Sequence, residues 1–286
     1  MTRRRIDASL AGFELPPLAH RWTARDTILY ALAVGASAKD LDLVYEGRGP
    51  HVLPTFAAIP SSHFLFPMLD ALDFEIGDLL HGEQSIMLHR PIPPEAAVET
   101  TRRCTAVWDK GSAAVLVWES VTSDGEGPLF TTEGSSFIRG AGGFGGERGP
   151  SGGRNAPPER PPDVALSVAT FPDQAALYRL CGDLNPMHID PAVARAAGYD
   201  RPFLHGLCTY GVVARAVIGA VCDGVPERVE AYEARFAGLV FPGDTLRVRL
   251  WRTAADEAVL DAATDRGPAL SNARMRFRAP LFGAAP

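Results

Sequence analysis

Residues 178–190 read YRLCGDLNPMHID, and the assignment of the fold begins with them. Gly182 and Pro186 favour a loop of defined shape. The residues just before the loop, Asp173–Cys181, and those just after it, Ala192–Ala197, have the pattern of short helices. This stretch therefore predicts a polar loop held between two helical segments.

The loop carries three side chains suited to proton chemistry within six residues: Asp183, Asn185 and His188. An aspartate can remove a proton, a histidine can move one near neutral pH because its usual pKa is about 6.5, and an asparagine can hold a water molecule. An isolated Asp-x-Asn is more often an Asx turn. The complete G-D-x-N-P-x-H spacing favours a catalytic site over that structural role.

A second informative stretch follows at residues 203–208, which read FLHGLC. Gly206 lies at the start of a predicted apolar helix over residues 207–221. The first N–H groups of a helix have no partner within the helix, and a glycine lets a ligand oxygen approach them closely. Such donors could stabilise the enolate formed from a thioester carbonyl. Taken alone, Gly206 is explained equally well by tight packing of the helix against a sheet.

Together, YRLCGDLNPMHID and the RPFLHGLCTYG that follows at residues 201–211 resemble the signature of the MaoC-like, (R)-specific 2-enoyl-CoA hydratase family (hydratase 2). In the first half, Asp26–Ala36, residues 52–60 (VLPTFAAIP) and residues 80–84 (LHGEQ) resemble the N-terminal half of two-domain, eukaryotic-type members. The likeness implies an α+β, double hot dog fold. In this fold, two antiparallel sheets each wrap around a central helix.

The resemblance also implies an activity and a set of site residues. The activity is (R)-specific hydration of trans-2-enoyl-CoA to (3R)-3-hydroxyacyl-CoA, which is reversible as a dehydration. Asp183 and His188 match the catalytic pair, Asn185 the assisting polar residue, and Gly206 the oxyanion-hole amide. Coenzyme A is expected as part of the substrate, with no other cofactor and no metal, and the chain is expected to form a homodimer.

Working outward, residues 140–162 (GAGGFGGERGPSGGRNAPPERPP) are mostly glycine, proline and polar residues and predict a flexible linker. The linker separates a degenerate N-terminal hot-dog domain, 1–139, from a catalytic C-terminal hot-dog domain, 163–286. It contains a G-x-G-x-x-G match at residues 140–145, but prolines follow in place of the helix that a dinucleotide site requires.

The two halves correspond at an offset of 148 residues, which aligns Pro54 with Pro202 and Pro94 with Pro242. This favours an ancient duplication over chance. The offset maps the three polar loop residues onto side chains without the same chemistry: Gly35, Ser37 and Asp40. One active site per chain follows, and we expect the first half to enclose the acyl chain instead.

Predicted elements alternate in the same order in both halves, with helix preceding strands. In the first half they are a helix over Asp26–Ala36, capped by Asp26, and strands over Ala97–Val107, Ala113–Thr122 and Leu129–Ile138. In the second half the helices over Asp173–Cys181 and Leu207–Val221 precede strands over Tyr232–Leu239, Thr245–Thr253, Ala258–Thr264 and Ala269–Phe277.

Composition narrows the class of protein. A formal net charge of −6 offers no basic footprint for nucleic acid, and no apolar run is long enough to span a membrane. Four cysteines without a C-x-x-C pair favour the cytoplasm. His81 and Glu83, two residues apart on a predicted strand, are expected to be structural.

Two alternatives to the hydratase hypothesis stay open at this point. One keeps the fold but changes the substrate to a carrier-protein thioester or a steroid side-chain thioester. The other is a non-catalytic protein that binds acyl thioesters.

Overall fold

The structure is a computed structural model that describes residues 3–151 and 153–278. The ends of the two predicted domains, residues 1–2 and 279–286, lie outside the described residues, as does residue 152 of the predicted linker. The strands are β1 (Glu14–Trp22), β2 (Leu79–Leu88), β3 (Ala96–Asp109), β4 (Ala113–Asp124), β5 (Gly127–Arg139), β6 (Val164–Ala169), β7 (Val229–Phe236), β8 (Thr245–Ala254), β9 (Glu257–Thr264) and β10 (Gly267–Phe277).

The α-helices are α1 (Ala24–Ala33), α2 (Leu41–Val44), α3 (Ala58–Ser62), α4 (Leu65–Ala71), α5 (Gln174–Tyr178), α6 (Pro191–Ala196) and α7 (Gly206–Val221). Short 3-10 helices cover Ala8–Leu10, Pro54–Ala57, Ile76–Asp78, Arg179–Cys181, Pro186–His188 and Pro226–Arg228.

All ten strands join in one antiparallel sheet, in the order β1-β3-β4-β5-β2-β7-β10-β9-β8-β6. The second five strands repeat the order of the first five in reverse, so the sheet has a pseudo-twofold axis between β2 and β7. Ser85 pairs with Glu233 across this seam, and these two residues are 148 positions apart. The topology thus matches the duplication inferred from the sequence.

Each half of the sheet curves around helical structure, which confirms the predicted α+β, double hot dog fold, with the two sheets fused edge to edge. Helix α7 contacts strands β6, β7 and β8, whereas the shorter α3 contacts β3. Nearly every position of α7 is apolar, and most are buried because sheet and helices surround it. Tyr210 of α7 stacks on Tyr232 of β7 with ring centroids 4.2 Å apart.

The halves also share a core, because one cluster of buried side chains draws residues from both. Gly211 of α7 lies against Val34 and Tyr30 of the first half, and a Cβ there would be 2.6 Å from the Val34 Cγ1 atom. Glycine at this position therefore lets the central helix of the second half approach the first half closely.

Several predicted boundaries differ from the structure; β7, for example, covers Val229–Phe236 and not Tyr232–Leu239. Thr23, not Asp26, is the N-cap of α1, and Asp26 is the third helical residue, whose carboxylate accepts from the Thr23 N–H at 2.8 Å. This is a capping box, which starts the helix earlier than the apolar pattern indicates. In each half a strand, β1 or β6, precedes the first helix, so the predicted order of helix before strands was incomplete.

Residues 140–162 carry no helix or strand among those described, and they are anchored at several points. The Asp109 carboxylate accepts hydrogen bonds from the N–H groups of Gly143 and Gly145 at 2.9 and 2.7 Å. These backbone donors lower the pKa of Asp109 to about 2. Farther along, the Trp251 indole donates to the Arg160 carbonyl oxygen at 2.8 Å.

Within the described part of the chain, no helix has both the length and the apolar character needed to cross a membrane.

Candidate active site

The loop that carries the predicted catalytic residues is built from a series of local hydrogen bonds. Gly182 has φ +130°, and a Cβ there would lie 2.3 Å from the His63 Nε2 atom, so only glycine fits. Asp183 Oδ1 accepts from the Asn185 N–H at 3.2 Å, and Asn185 Oδ1 accepts from the Met187 N–H at 3.1 Å. Asn185 is thereby the N-cap of the 3-10 helix that begins at Pro186.

Two histidines then fasten this loop to the segment before α7. His188 Nδ1 donates to the Phe203 carbonyl oxygen at 2.9 Å. In return, His205 Nε2 donates to the Asp183 carbonyl oxygen at 3.2 Å. The imidazoles of His188 and His205 lie against each other with centroids 3.9 Å apart. These reciprocal contacts explain why the two sequence stretches, about twenty residues apart, form one site.

The same contacts fix how His188 is protonated. A carbonyl oxygen can only accept, so Nδ1 carries the proton and Nε2 of the neutral ring is free to take one. Burial lowers the pKa of His188 below its usual 6.5, against the opposing effects of the Asp183 carboxylate and the Phe203 carbonyl. Burial, reinforced by His188, also holds the pKa of His205 well below 6.5. Near neutral pH His188 is therefore a neutral base.

Gly206 is the first residue of α7, and its N–H belongs to the unpaired first turn of a sixteen-residue helix. A Cβ at this position would lie 3.2 Å from two carbons of the Phe236 ring. Glycine at position 206 therefore allows α7 to pack closely against a strand. It also leaves the amide open to the approach of a ligand oxygen.

A cavity of about 200 Å³ brings these groups together. The predicted site residues Asp183, Asn185, His188 and Gly206 all line it. Its other walls come from both halves of the chain, and the first half contributes residues from α3, α4, β2, β3, β4 and β5. Gly35, Ser37 and Asp40, the positions that correspond to the catalytic loop in the first half, do not line it.

Three side chains at the site could also offer ligand atoms to a metal ion. One atom from each of Asp183, His188 and His205 lies within 4.8 Å of the others. A set of three protein ligands is typical of catalytic zinc sites. The prediction that the site uses no metal stays a prediction, and chelation can test it.

Two histidines, His205 and His63, contact the candidate loop but were not singled out from the sequence. His205 is only 1% exposed, and its place next to the candidate oxyanion-hole residue Gly206 was the available signal. His63 follows the last residue of α3 and contacts Gly182. Its Nδ1 atom shares a hydrogen bond with the Nδ1 atom of His20, at a distance of 3.0 Å. No spacing in the sequence links residues 63 and 182.

The structure places His81 and Glu83 in different surroundings, and their expected structural roles stay predictions. His81 lines the cavity, whereas Glu83 pairs with Arg154 of the 140–162 segment at 2.6 Å. The register of β2 against β5 shifts between these two residues, and such a bulge breaks the alternation that was expected to put both on one face.

With this geometry established, the sequence can be compared with known families. Residues 154–264 match the MaoC like domain, and residues 20–140 match the MFE-2 hydratase 2 N-terminal domain. The chain belongs to the hydratase 2 family of MaoC-like proteins. The two matches cover the two halves in the predicted order.

Relatives of this hydratase 2 chain align over most of its length. It is 42% identical over 257 residues to the enoyl-CoA hydratase ChsH3 of Mycobacterium tuberculosis. That alignment covers 86% of this chain and 90% of the relative. It is 37% identical to the probable enoyl-CoA hydratase 2 of Dictyostelium discoideum, over 88% of this chain and 89% of the relative.

Solved structures agree with the fold of the hydratase 2 chain. A MaoC-like dehydratase from Phytophthora capsici superposes with a TM-score of 0.86 at 28% identity, over 96% of this chain and 98% of that one. The peroxisomal multifunctional enzyme type 2 of Drosophila melanogaster gives a TM-score of 0.81 at 34% identity, over 93% of this chain but 48% of the larger protein.

Proposed function

We propose that this protein is a hydro-lyase that hydrates trans-2-enoyl-CoA to (3R)-3-hydroxyacyl-CoA and catalyses the reverse dehydration. The observation that carries the proposal is the shared cavity, in which Asp183, His188 and the Gly206 amide meet. The names of the relatives support it, since two are enoyl-CoA hydratases and another, 39% identical, is a 3-hydroxyacyl-thioester dehydratase.

The Gly206 N–H is assigned to the thioester carbonyl oxygen. A hydrogen bond there withdraws electron density from C3 of the enoyl group and stabilises the negative charge that develops on the oxygen as water adds. Gly206 lies at the N-terminal end of α7, where the helix dipole adds positive potential at that oxygen. The absence of a side chain at Gly206 leaves the amide open to the substrate.

The water molecule is assigned to the carboxylate and the imidazole. Asp183 Oδ2 has no hydrogen-bond partner among the described residues, and His188 Nε2 is unprotonated, so both can accept a proton from water. Asp183 is the favoured base, which takes one proton from the water, and His188 is assigned to pass that same proton on to C2, while the other hydrogen of the water stays in the new hydroxyl group. The hydroxyl group adds to C3 while one proton is delivered to C2 from the same face, so the elements of water are conserved.

Asn185 has a supporting part. Its Oδ1 atom is engaged by the Met187 N–H, which leaves its amide nitrogen as the donor that faces the reaction. We assign that nitrogen to hold the attacking water. Coenzyme A is part of the substrate in this scheme, with no further cofactor.

Rate and product chirality test the proposal together. The purified protein should consume trans-2-decenoyl-CoA, followed by loss of the enoyl thioester absorbance, and chiral analysis should show the (3R) alcohol. Formation of the (3S) product would reject the stereochemical assignment. Tight binding of several enoyl-CoAs without turnover would support a non-catalytic acyl-thioester binding protein instead.

We also propose that the protein works in the cytoplasm as a homodimer. The four cysteines are free and three are buried, which suits a reducing compartment. A relative from Arabidopsis thaliana is named as peroxisomal, so cell fractionation is the test of location. The dimer rests on the family resemblance, and light scattering on the purified protein would decide between one and two chains.

A further inference from the structure

The wall of the cavity formed by the first half contains an arginine with no acidic partner. Arg102 of β3 lines the cavity, and among the described residues no carboxylate lies within ion-pair distance of it. Its Nη1 atom donates to the Ser61 carbonyl oxygen at 2.8 Å, while its Nε atom is buried without an acceptor. A buried cation without an anion is costly, which makes this residue unusual in an acyl pocket.

Packing holds the Arg102 guanidinium in place beside the cavity. It lies 5.5 Å from the ring centroid of Phe64 and 5.2 Å from that of Trp118. Burial lowers the pKa of Arg102 to about 10, so the group stays charged at neutral pH. Two aromatic contacts and one backbone acceptor fix its orientation but leave its charge unneutralised.

Hydroxyl groups extend from Arg102 along the same wall. Arg102 pairs directly with Ser120 on β4, and Ser120 pairs with Thr132 on β5, so the three form a row across neighbouring strands. Ser136 and His81 pair between β5 and β2 and line the cavity as well. Ser120, Thr132 and Ser136 are at most 8% exposed, yet none of their hydroxyls bonds to another described residue. These donors are free for a ligand.

Burial, with a smaller effect of the Arg102 charge, lowers the pKa of His81 to about 4. A neutral His81 leaves Arg102 as the positive charge of this wall. Asp183, the one carboxylate among the described residues that line the cavity, belongs to the candidate catalytic loop. The cavity is therefore polarised, with a carboxylate at the reacting end and a guanidinium in the wall of the first half.

The two ends are separated along the sheet. Phe236, which contacts Gly206, lies on β7, and Arg102 lies on β3, with β2, β5 and β4 between them. Four inter-strand steps of about 4.8 Å give at most about 19 Å along the curved surface. The curvature of the sheet and the length of the Arg102 side chain shorten the direct path between the two ends, so the acyl length that fits is found by comparing chains of several lengths.

We infer that the preferred acyl group carries a carboxylate at its far end, so that the substrate is an enoyl thioester of a dicarboxylic acid whose terminal carboxylate pairs with Arg102. This rests on the proposed hydratase activity and specifies its substrate class. The planar guanidinium matches a carboxylate, and the hydroxyls of Ser120 and Thr132 supply further donors. A hydrocarbon end would leave all of these groups unpaired in the complex.

The test compares thioesters of equal length that differ only at the far end. Hydration is measured for 2-decenoyl-CoA, its ω-carboxy analogue and its ω-hydroxy analogue, with shorter and longer members of each series. The parent protein should show a kcat/KM at least about 10-fold higher for the best ω-carboxy member than for the matching unsubstituted ester, as expected for one hydrogen bond to a charged group.

Variants then assign the preference to Arg102. Arg102→Met should lower kcat/KM for the ω-carboxy substrate by about 10- to 100-fold more than it lowers kcat/KM for the unsubstituted ester, so that the ratio between the two substrates falls towards one. Arg215→Met is the matched control, since Arg215 is also partly buried and bonded to a backbone carbonyl, that of Val34, but lies outside the cavity lining. It should affect both substrates equally.

Each outcome either supports or overturns the pairing of a substrate carboxylate with Arg102. Equal use of the ω-carboxy and unsubstituted esters, preference for the ω-hydroxy ester, or equal losses on both substrates in Arg102→Met would overturn the inference while the hydratase activity stands. If no ester is hydrated, the proposed function fails, and calorimetric affinities for saturated decanoyl-CoA and its ω-carboxy analogue still decide the role of Arg102. Thermal melting of Arg102→Met shows whether the variant is folded, and Arg102→Lys, which keeps the charge, should recover part of the preference.

Discussion

Replacement of Asp183 by asparagine separates the charge of this residue from its structural role. Asparagine keeps an Oδ1 acceptor for the Asn185 N–H, now at 3.2 Å, so the loop should keep its shape. It removes a negative charge whose oxygen lies within 4.8 Å of a His188 ring nitrogen. Coulomb's law gives about 3 kcal/mol for that distance at an effective dielectric of about 20. Screening at the partly exposed Asp183 reduces this to about 1–2 kcal/mol.

Two effects of Asp183→Asn follow for the rate of hydration. Turnover of crotonyl-CoA should fall at least about 100-fold, because a general base is lost. The acid limb of the pH profile should also move to lower pH, since the carboxylate no longer raises the pKa of His188. The assay is the initial rate between pH 4.5 and 9, with Tm as the check on folding.

Asp190→Asn provides the matched control for this experiment. Asp190 caps α6 through the Ala192 N–H at 2.7 Å, is exposed, and lies outside the cavity lining. Its replacement should leave rate and pH profile unchanged. Parental turnover by Asp183→Asn, with an unmoved acid limb, would refute the assignment of the carboxylate.

Three further predictions concern the Gly206 amide, metal binding at the candidate site, and the effect of a partly buried histidine on stability. Gly206→Ala should lower kcat about 10-fold or more, because the new Cβ covers the amide and presses on Phe236 at 3.2 Å, while Tm changes by only a few degrees; an unchanged kcat would count against the amide. Dialysis against a chelator should leave turnover and Tm unchanged; loss of activity that zinc restores would show that Asp183, His188 and His205 bind a metal. Partial burial lowers the pKa of His20 to about 4, below the value of about 6.5 in the unfolded chain, so its contribution to stability is complete above pH 6.5 and is lost as the pH falls towards 4. Tm should drop by a few degrees between pH 7 and pH 5, and less in His20→Asn than in a control at the exposed His89; a constant Tm would contradict this prediction.

The loop that carries the candidate catalytic residues could be predicted because the interactions that shape it are local. Asp183, Asn185 and His188 lie within six residues, and the hydrogen bonds that shape the loop join residues two positions apart. The place of Gly206 followed from helix geometry, since the first amides of any helix lack partners. The strands were also largely predictable, because long alternating runs such as β3 and β10 record one buried face.

The remainder of the cavity depends on contacts that are distant in the sequence. Arg102, Ser120 and Thr132 lie on three strands, and only the register of those strands puts them in a row. On their own strands they follow the same alternation as core residues, so their pattern resembles that of an ordinary buried face. His81 and Glu83 were expected on one face of a strand, but a bulge at Gly82 interrupts the alternation, and one strand alone does not reveal a bulge.

Composition also gave an incomplete account of residues 140–162. Their glycine and proline content predicted flexibility, yet the Asp109 carboxylate binds two of the glycine amides and Glu83 binds Arg154. Glycines suit such a cradle because several successive N–H groups can turn towards one carboxylate. The anchoring partners lie in strands β3 and β2, far from the segment in sequence.

A crystal structure of the protein with a bound (3R)-3-hydroxydecanoyl-CoA would measure the geometry of the reaction directly. The account predicts that the thioester oxygen lies about 3 Å from the Gly206 nitrogen and that the 3-hydroxyl group lies within hydrogen-bonding distance of both Asp183 and His188. A thioester bound away from α7, or a hydroxyl group that touches neither side chain, would contradict it.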